Sequence, residues 1–292
     1  MSTRLPLKKG YVLKGYSLGE VLGGGGFSLV YLASQELSRK NFVIKEYCPQ
    51  GLVTRNADGS ISISSSMNQG AFNDGLQKFI TEATALKGLN HPNMVSVSDS
   101  FKANNTVYIV MAREEGKDLQ WFISKLRDNL DFTFLKQVFQ KIGDGLHRVH
   151  ELGLVHLDVK PANILLRKSG EPLLLDFGAA MTVDSEDRFS SFLTVTHGFA
   201  PPEQYLDDPL GPWTDIYGLG ATMYNCITGR PPPPALRRKD GVALEPLTVK
   251  WAGKYPFELL KAVEAALSLD PQERPESVAA FMAHSFVGQT ES

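Results

Sequence analysis

Two acids and an amide crowd the middle of the chain. Asp158 and Asn163 stand in His156-Leu157-Asp158-Val159-Lys160-Pro161-Ala162-Asn163, and Asp176 follows thirteen positions after Asn163 in Asp176-Phe177-Gly178. One carboxylate can orient a hydroxyl and accept its proton. A second carboxylate and an amide oxygen make the hard ligand set that magnesium accepts beside a triphosphate. Asp158 suits the first task, and Asn163 with Asp176 suits the second. The chemistry such a set could perform is phosphoryl transfer.

That chemistry also needs groups for the phosphates, and the N-terminal part of the chain offers two candidates. Leu22-Gly23-Gly24-Gly25-Gly26-Phe27-Ser28-Leu29-Val30 nearly matches a Gly-x-Gly-x-x-Gly-x-Val hairpin, with Ser28 where the third glycine would stand. Such a hairpin can close over phosphates with its backbone N–H groups, and it can equally be a plain turn. It is not a dinucleotide fingerprint, because a strand and not a helix follows the glycines. Lys45 ends the apolar run Phe42-Val43-Ile44, fifteen residues after Val30. It reads either as an ordinary strand-end lysine or as one that holds α- and β-phosphates and is oriented by Glu82.

The elements that must position these groups change character along the chain. Residues 16–33 and 41–45 read as strands, with the glycines at the tip of the first hairpin. Residues 48–66, rich in Ser, Asn, Asp and Gly, read as an inserted loop with one small hairpin at Asp58-Gly59. Phe72, Leu76, Phe79, Ile80, Ala83 and Leu86 recur at helical spacing over 71–89. Two more strands, at 95–97 and 106–111, turn at Asn104-Asn105, and after Gly116 helical periodicity takes over. The clearest case is 134–151, with Leu135, Val138, Phe139, Ile142, Leu146 and Val149 on one face. Short β segments at 164–166 and 173–175 and helices at 214–228, 257–269 and 277–284 complete the pattern.

Taken in order, the motifs over residues 16–284 resemble the eukaryotic-type (Hanks-type) serine/threonine protein kinase family. Ile44-Lys45-Glu46-Tyr47-Cys48-Pro49 and Gly198-Phe199-Ala200-Pro201-Pro202-Glu203-Gln204-Tyr205 look most like its bacterial members. The resemblance implies an α+β, two-lobed fold: a leader at 1–15, a small β-rich N-lobe with one long helix at 16–113, a mainly helical C-lobe at 114–286, and a tail at 287–292. It implies ATP and Mg2+ as cofactors, and a protein Ser or Thr hydroxyl as acceptor. Asp158, Lys160, Lys45 and Glu82 would then be catalytic, and Asn163 and Asp176 the metal ligands. The nucleotide would meet Leu22, Gly23, Gly24, Gly25, Gly26, Phe27, Ser28 and Val30 from the loop, with Val30 and Val43 above adenine and Leu165 below. Met111 would be the gatekeeper, Ala112, Arg113 and Glu114 the hinge, and Asp118 the ribose ligand. Thr196 near Asp158 fits the serine/threonine subclass. Glu203 and Arg274 would form a buried ion pair, and Asp215 would brace the catalytic loop through backbone N–H groups.

Two departures carry physical meaning. Leu157 stands where the family has the arginine that holds a phosphorylated activation loop, so phosphate at Thr182, Ser185, Ser190, Ser191 or Thr194 lacks that anchor. The expectation is transfer without activation-loop phosphorylation. Ser28 at the third glycine opens one alternative, a pseudokinase that binds nucleotide as a scaffold; a separate alternative keeps the kinase chemistry and changes the acceptor, a small-molecule kinase. Thr196 and the Pro-Pro-Glu segment argue against the latter.

Composition bounds the rest. Thirty Lys plus Arg against thirty-two Asp plus Glu give a net charge of −2, which leaves no global field for nucleic acid. The two cysteines cannot form a disulfide framework and suit a reducing compartment, so a cytoplasmic location is expected. No stretch reads as a membrane span. His147 and His150 lie three apart on a helix without a third ligand and read as packing residues. Arg237-Arg238-Lys239 reads as a solvated turn. The sequence leaves oligomeric state open.

Overall fold

Alternation of apolar and polar residues builds the sheet of the first of two compact units, which comprises Met1–Asn90 and Val95–Glu114. In the computed structural model the described residues are 4–35, 38, 40–126, 130–176, 181, 182, 195–206 and 208–287, with the side chains of 82, 85, 181 and 182 outside the description. The strands are β1 (Val12–Leu13), β2 (Tyr16–Gly23), β3 (Ser28–Gln35) and β4 (Asn41–Tyr47), the small hairpin β5 (Val53–Arg55) and β6 (Ile61–Ile63), then, beyond helix α1 (Gln69–Gly88), β7 (Val97–Ala103) and β8 (Thr106–Ala112). Six of them pair in the order β1-β2-β3-β4-β8-β7, antiparallel throughout. Leu18, Tyr31, Ala33, Ile44 and Ile109 are buried in this sheet.

The inserted loop does fold into a hairpin that turns at Asp58-Gly59, with Gly59 at φ +91°, where only glycine is unstrained. The strand expected at 95–97 is instead β7, Val97–Ala103. Its Ser98, Asp99 and Ser100 mask the alternation because β7 is an edge strand with one side in water. The turn at Asn104-Asn105 is as expected, both residues taking positive φ, as a two-residue hairpin turn requires. Phe72, Phe79, Ala83 and Leu86 form the buried stripe of α1, and the Phe72 and Phe79 rings pack on Tyr47.

The second unit, His91–Met94 with Glu115–Ser292, is helical. It opens with β9 (Gly116–Asp118) and α2 (Leu119–Leu126), followed by α3 (Phe132–Glu151), β10 (Leu154–Val155), β11 (Ile164–Arg167), β12 (Pro172–Leu174) and β13 (Met181–Thr182). The helices α4 (Glu203–Leu206), α5 (Pro212–Thr228), α6 (Ala235–Lys239), α7 (Leu247–Lys250), α8 (Phe257–Ala266) and α9 (Val278–Ser285) complete it. All six residues predicted for the inner face of α3 are buried, and Asp131 caps that helix by accepting a hydrogen bond from Phe134 N. In α5, every residue from Thr214 to Ile227 is buried, so this helix is the axis of the unit.

Several short elements were not legible, among them β1, β9, β10, β13, α2, α4, α6 and α7; in α2 the buried residues Leu119 and Ile123 are too few to set a period. The basic triplet at 237–239 is no solvated turn. It forms most of α6, and Arg238 Nη1 donates to Leu267 O at 2.7 Å and to Tyr217 Oη at 3.3 Å.

Candidate functional site

In the second unit, a short bend places the acids. His156 and Leu157 donate their backbone N–H groups to Asp215 Oδ2 and Oδ1, both at 2.7 Å, and His150 Nε2 lies 2.8 Å from Oδ2. Burial alone pushes the Asp215 carboxyl up. The His150 hydrogen bond and nearby histidine charge outweigh it and hold the group below the usual carboxylate range. The brace forces Leu157 to φ +65°, an unusual conformation for a branched side chain, and Gln204 Nε2 donates to Leu157 O at 2.9 Å. The Leu157 side chain is buried.

Asp158 follows directly. Its Oδ1 accepts from Thr196 Oγ1 at 3.0 Å, and its Oδ2 accepts from Asn163 Nδ2 at 2.9 Å and lies 2.8 Å from Lys160 Nζ. Lys160 Nζ also donates to Thr196 Oγ1 at 2.9 Å, which closes a triangle of Asp158, Lys160 and Thr196. Asn163 sends its Nδ2 to both the backbone and the carboxylate of Asp158, which turns its amide oxygen away from that acid. Leu175 N donates to Asn163 O at 2.7 Å, so the next residue, Asp176, starts beside Asn163 and carries φ +55°. Phe177 and Gly178 lie outside the described residues. Leu165 lies in β11 opposite Asp118 of β9, and Asp118 Oδ1 caps α2 by accepting from Trp121 N at 2.7 Å.

In the first unit, Lys45 of β4 faces Val30 of β3 on one side and Ile109 of β8 on the other. Its side chain is buried, with Nζ 5.6 Å from the centre of the Phe79 ring. Glu82 comes three positions after Phe79 in α1, and its side chain lies outside the described residues. Val43 pairs with Met111, and β8 ends at Ala112, so Arg113 and Glu114 form the exposed last residues of this unit.

The glycines divide by cause. A Cβ on Gly24 would sit 2.6 Å from Ser28 O, so the curl of the hairpin itself demands glycine there. Gly23 and Gly25 have open space at the Cβ position and no positive φ, so nothing inside the fold requires glycine at either. Their smallness leaves room outside the protein for a group that approaches the backbone closely. In the second unit the hard oxygen donors of Asn163 and Asp176 fit a magnesium ion, and in the first unit the open glycine cradle fits a polyphosphate. Among the described residues, no His, Cys, Asp and Glu group forms a metal cluster of another kind.

The model of the protein kinase domain matches residues 16–287. The serine/threonine-protein kinase PkaA of Streptomyces coelicolor is 33% identical over 221 residues, 70% of this chain and 38% of PkaA. Serine/threonine-protein kinase PknK of Mycobacterium tuberculosis is 27% identical over 276 residues, 91% of this chain and 23% of PknK. Among solved structures, the apo form of PpkA-294 superposes with a TM-score of 0.83 at 31% identity, covering 96% of this chain and 99% of that one. The α+β fold, with its β-rich first unit and helical second unit, is that of a protein kinase. The chain belongs to the protein kinase family, whose members use Mg-ATP. It spans well under half the length of the two curated relatives, 38% and 23%.

Sequence reasoning missed several partners of these residues. His150 was read only as packing, yet it bonds the brace Asp215. Gln204, which holds the Leu157 carbonyl, was noticed only as part of a motif. A composition-based reading has no signal for either, because both contacts join segments more than forty residues apart.

Proposed function

We propose that this chain transfers the γ-phosphoryl group of Mg-ATP to Ser and Thr hydroxyls of protein substrates. The observation that carries the reading is the Asp158 carboxylate, held from three sides by Thr196, Lys160 and Asn163. A carboxylate fixed in this way can accept the proton of an incoming hydroxyl at one oxygen while Lys160 faces the charge that develops on the phosphoryl oxygens. Thr196 ties the acceptor-side segment to the same acid, as in the serine/threonine subclass. When bound, Mg-ATP supplies the group to be transferred and a cation that offsets its charge. Asn163 and Asp176 would hold the cation. Lys45, oriented by Glu82, would hold the phosphates, and residues 22–30 would cover them. Val43, Met111, Ala112, Arg113, Glu114, Asp118 and Leu165 would contact the nucleoside.

Incubation of the chain with labelled ATP, Mg2+ and a generic basic protein should yield phosphoserine or phosphothreonine on acid hydrolysis. No incorporation by wild type, with nucleotide still bound, would establish the scaffold alternative that Ser28 raises.

Activity without activation-loop phosphorylation is part of the same proposal. What supports it is Leu157, whose buried apolar side chain offers no charge to a phosphate. Changing Thr182, Ser185, Ser190, Ser191 and Thr194 together to Ala is expected to leave transfer within about tenfold of wild type. A loss beyond about 100-fold, roughly 2.7 kcal/mol, would contradict it. Four of these residues lie outside the described residues, as does the side chain of Thr182.

Cytoplasmic location and the absence of a nucleic-acid partner belong to the proposal as well. They rest on two buried, unbridged cysteines and a net charge of −2. No helix among the described residues is long and apolar enough to cross a membrane.

A further inference from the structure

A loop of four successive glycines is the most costly backbone to order, because glycine loses more conformational freedom on fixing than any other residue. Here the carbonyls at the end of that loop are all engaged. Gly26 O accepts from Gln50 N at 2.7 Å and Phe27 O from Cys48 N at 2.8 Å, which extends the β3–β4 ladder into the loop. The flanking carbonyls belong to one side chain: Arg4 Nη1 donates to Gly25 O at 2.6 Å, and Arg4 Nη2 donates to Ser28 O. A planar guanidinium that bonds two carbonyls at once fixes their separation, and so fixes the curl between them. This is the curl that brings the Gly24 backbone against Ser28 O.

Arg4 is itself held by a segment laid across the sheet. Leu7 is buried, and its N–H donates to Tyr31 Oη at 3.1 Å. Leu5 O accepts from Arg55 Nε at 3.0 Å, which joins the segment to the inserted hairpin. Arg55 in turn forks onto Glu46, with Nη1 to Oε1 at 2.7 Å and Nη2 to Oε2 at 2.6 Å, and Tyr31 and Tyr108 donate their hydroxyls to the same carboxylate. Burial alone lowers the pKa of Arg55, and the bonds to Glu46 reverse that and hold it above its ordinary value. Glu46 is fully buried and adjoins Lys45 on β4, so by strand alternation this network lies on the sheet face opposite the one Lys45 serves.

We propose that residues 4–10 form a strap that holds the glycine loop in its nucleotide-receiving curl, with Arg4 as a positioning residue for ATP acting through the carbonyls of Gly25 and Ser28. The inference rests on the reading that this loop covers ATP phosphates. Without the fork, the ligand must order the glycines itself, and the ordering cost appears as weaker binding, not as slower chemistry.

The test combines two readouts on the full chain. With Arg4→Ala, the KM for ATP and the Kd of a fluorescent N-methylanthraniloyl ATP should both rise about tenfold, while kcat stays within about twofold of wild type. Amide hydrogen exchange at residues 24–29 should speed up without nucleotide, and exchange in α3 and α5 should not change, which shows that the fold is intact. Arg4→Lys keeps the charge but replaces the fork with a point donor, and should recover only part of the affinity. Unchanged Kd and KM in Arg4→Ala, or a fall in kcat at constant KM, would overturn the proposal. Failure of the wild type to bind the analogue would instead overturn the nucleotide reading itself.

Discussion

Asp158→Asn should lower kcat about 10³-fold, roughly 4 kcal/mol of barrier, with the affinity for ATP and the melting temperature little changed. The amide matches the carboxylate in shape, so Thr196 Oγ1 can still donate to its oxygen at the 3.0 Å position. What disappears is the ability to accept a proton and the negative charge 2.8 Å from Lys160 Nζ. An uncharged side chain at 158 also relieves no buried strain, because this carboxylate is only about four-fifths covered and water reaches it; its side chain is 19% exposed. The effect therefore falls on the chemical step. Steady-state kinetics with varied ATP separates the outcomes. Equal turnover in wild type and Asp158→Asn removes the acid from the mechanism, and a rise in KM alone assigns it to binding.

How much of this arrangement the sequence disclosed follows from the range of the interactions. The groups of the site come in short runs with their own spacing, so Asp158, Lys160, Asn163 and Asp176 could be picked out before any fold was known. Helix α3 was legible because its apolar residues, Leu135 to Val149, recur on one face over about four turns. Edge strand β7 was misplaced because polar residues on its open side break the alternation that marks a strand. The strap was illegible for a different reason. Arg4, Arg55 and Glu46 are ordinary charged residues in three separate segments, and only folding brings two guanidinium groups and a carboxylate to one sheet face. The same limit applies to His150 and Gln204. Local pattern predicts elements and motifs, while long-range polar partners emerge from packing.

The ion pair of Glu203 and Arg274, like the Asp215 brace and the Thr196–Asp158 contact, is a long-range contact that family resemblance did anticipate, and its loss is expected to be the largest stability effect in the second unit. Arg274 Nη1 and Nη2 reach Glu203 Oε1 and Oε2 at 2.6 and 3.0 Å, and both side chains are buried. The guanidinium also donates to Trp213 O and Ser268 O at 2.9 Å each and lies over the Tyr217 ring at 5.1 Å. Thr214 Oγ1 adds a bond to Glu203 at 3.2 Å, so one pair ties the start of α4, the start of α5 and the turn after α8. Removing one partner leaves the other charged, desolvated and unpaired, which costs about 3 to 5 kcal/mol. Arg274→Ala should therefore lower the melting temperature by on the order of 10 °C. Replacing both partners, as Glu203→Leu with Arg274→Met, should be less destabilising than either single change, because no buried charge is left alone. Thermal unfolding of the four forms decides the matter. If the two single losses simply add in the double variant, the pair is uncoupled, and the stability of the Glu203 segment comes from apolar packing instead.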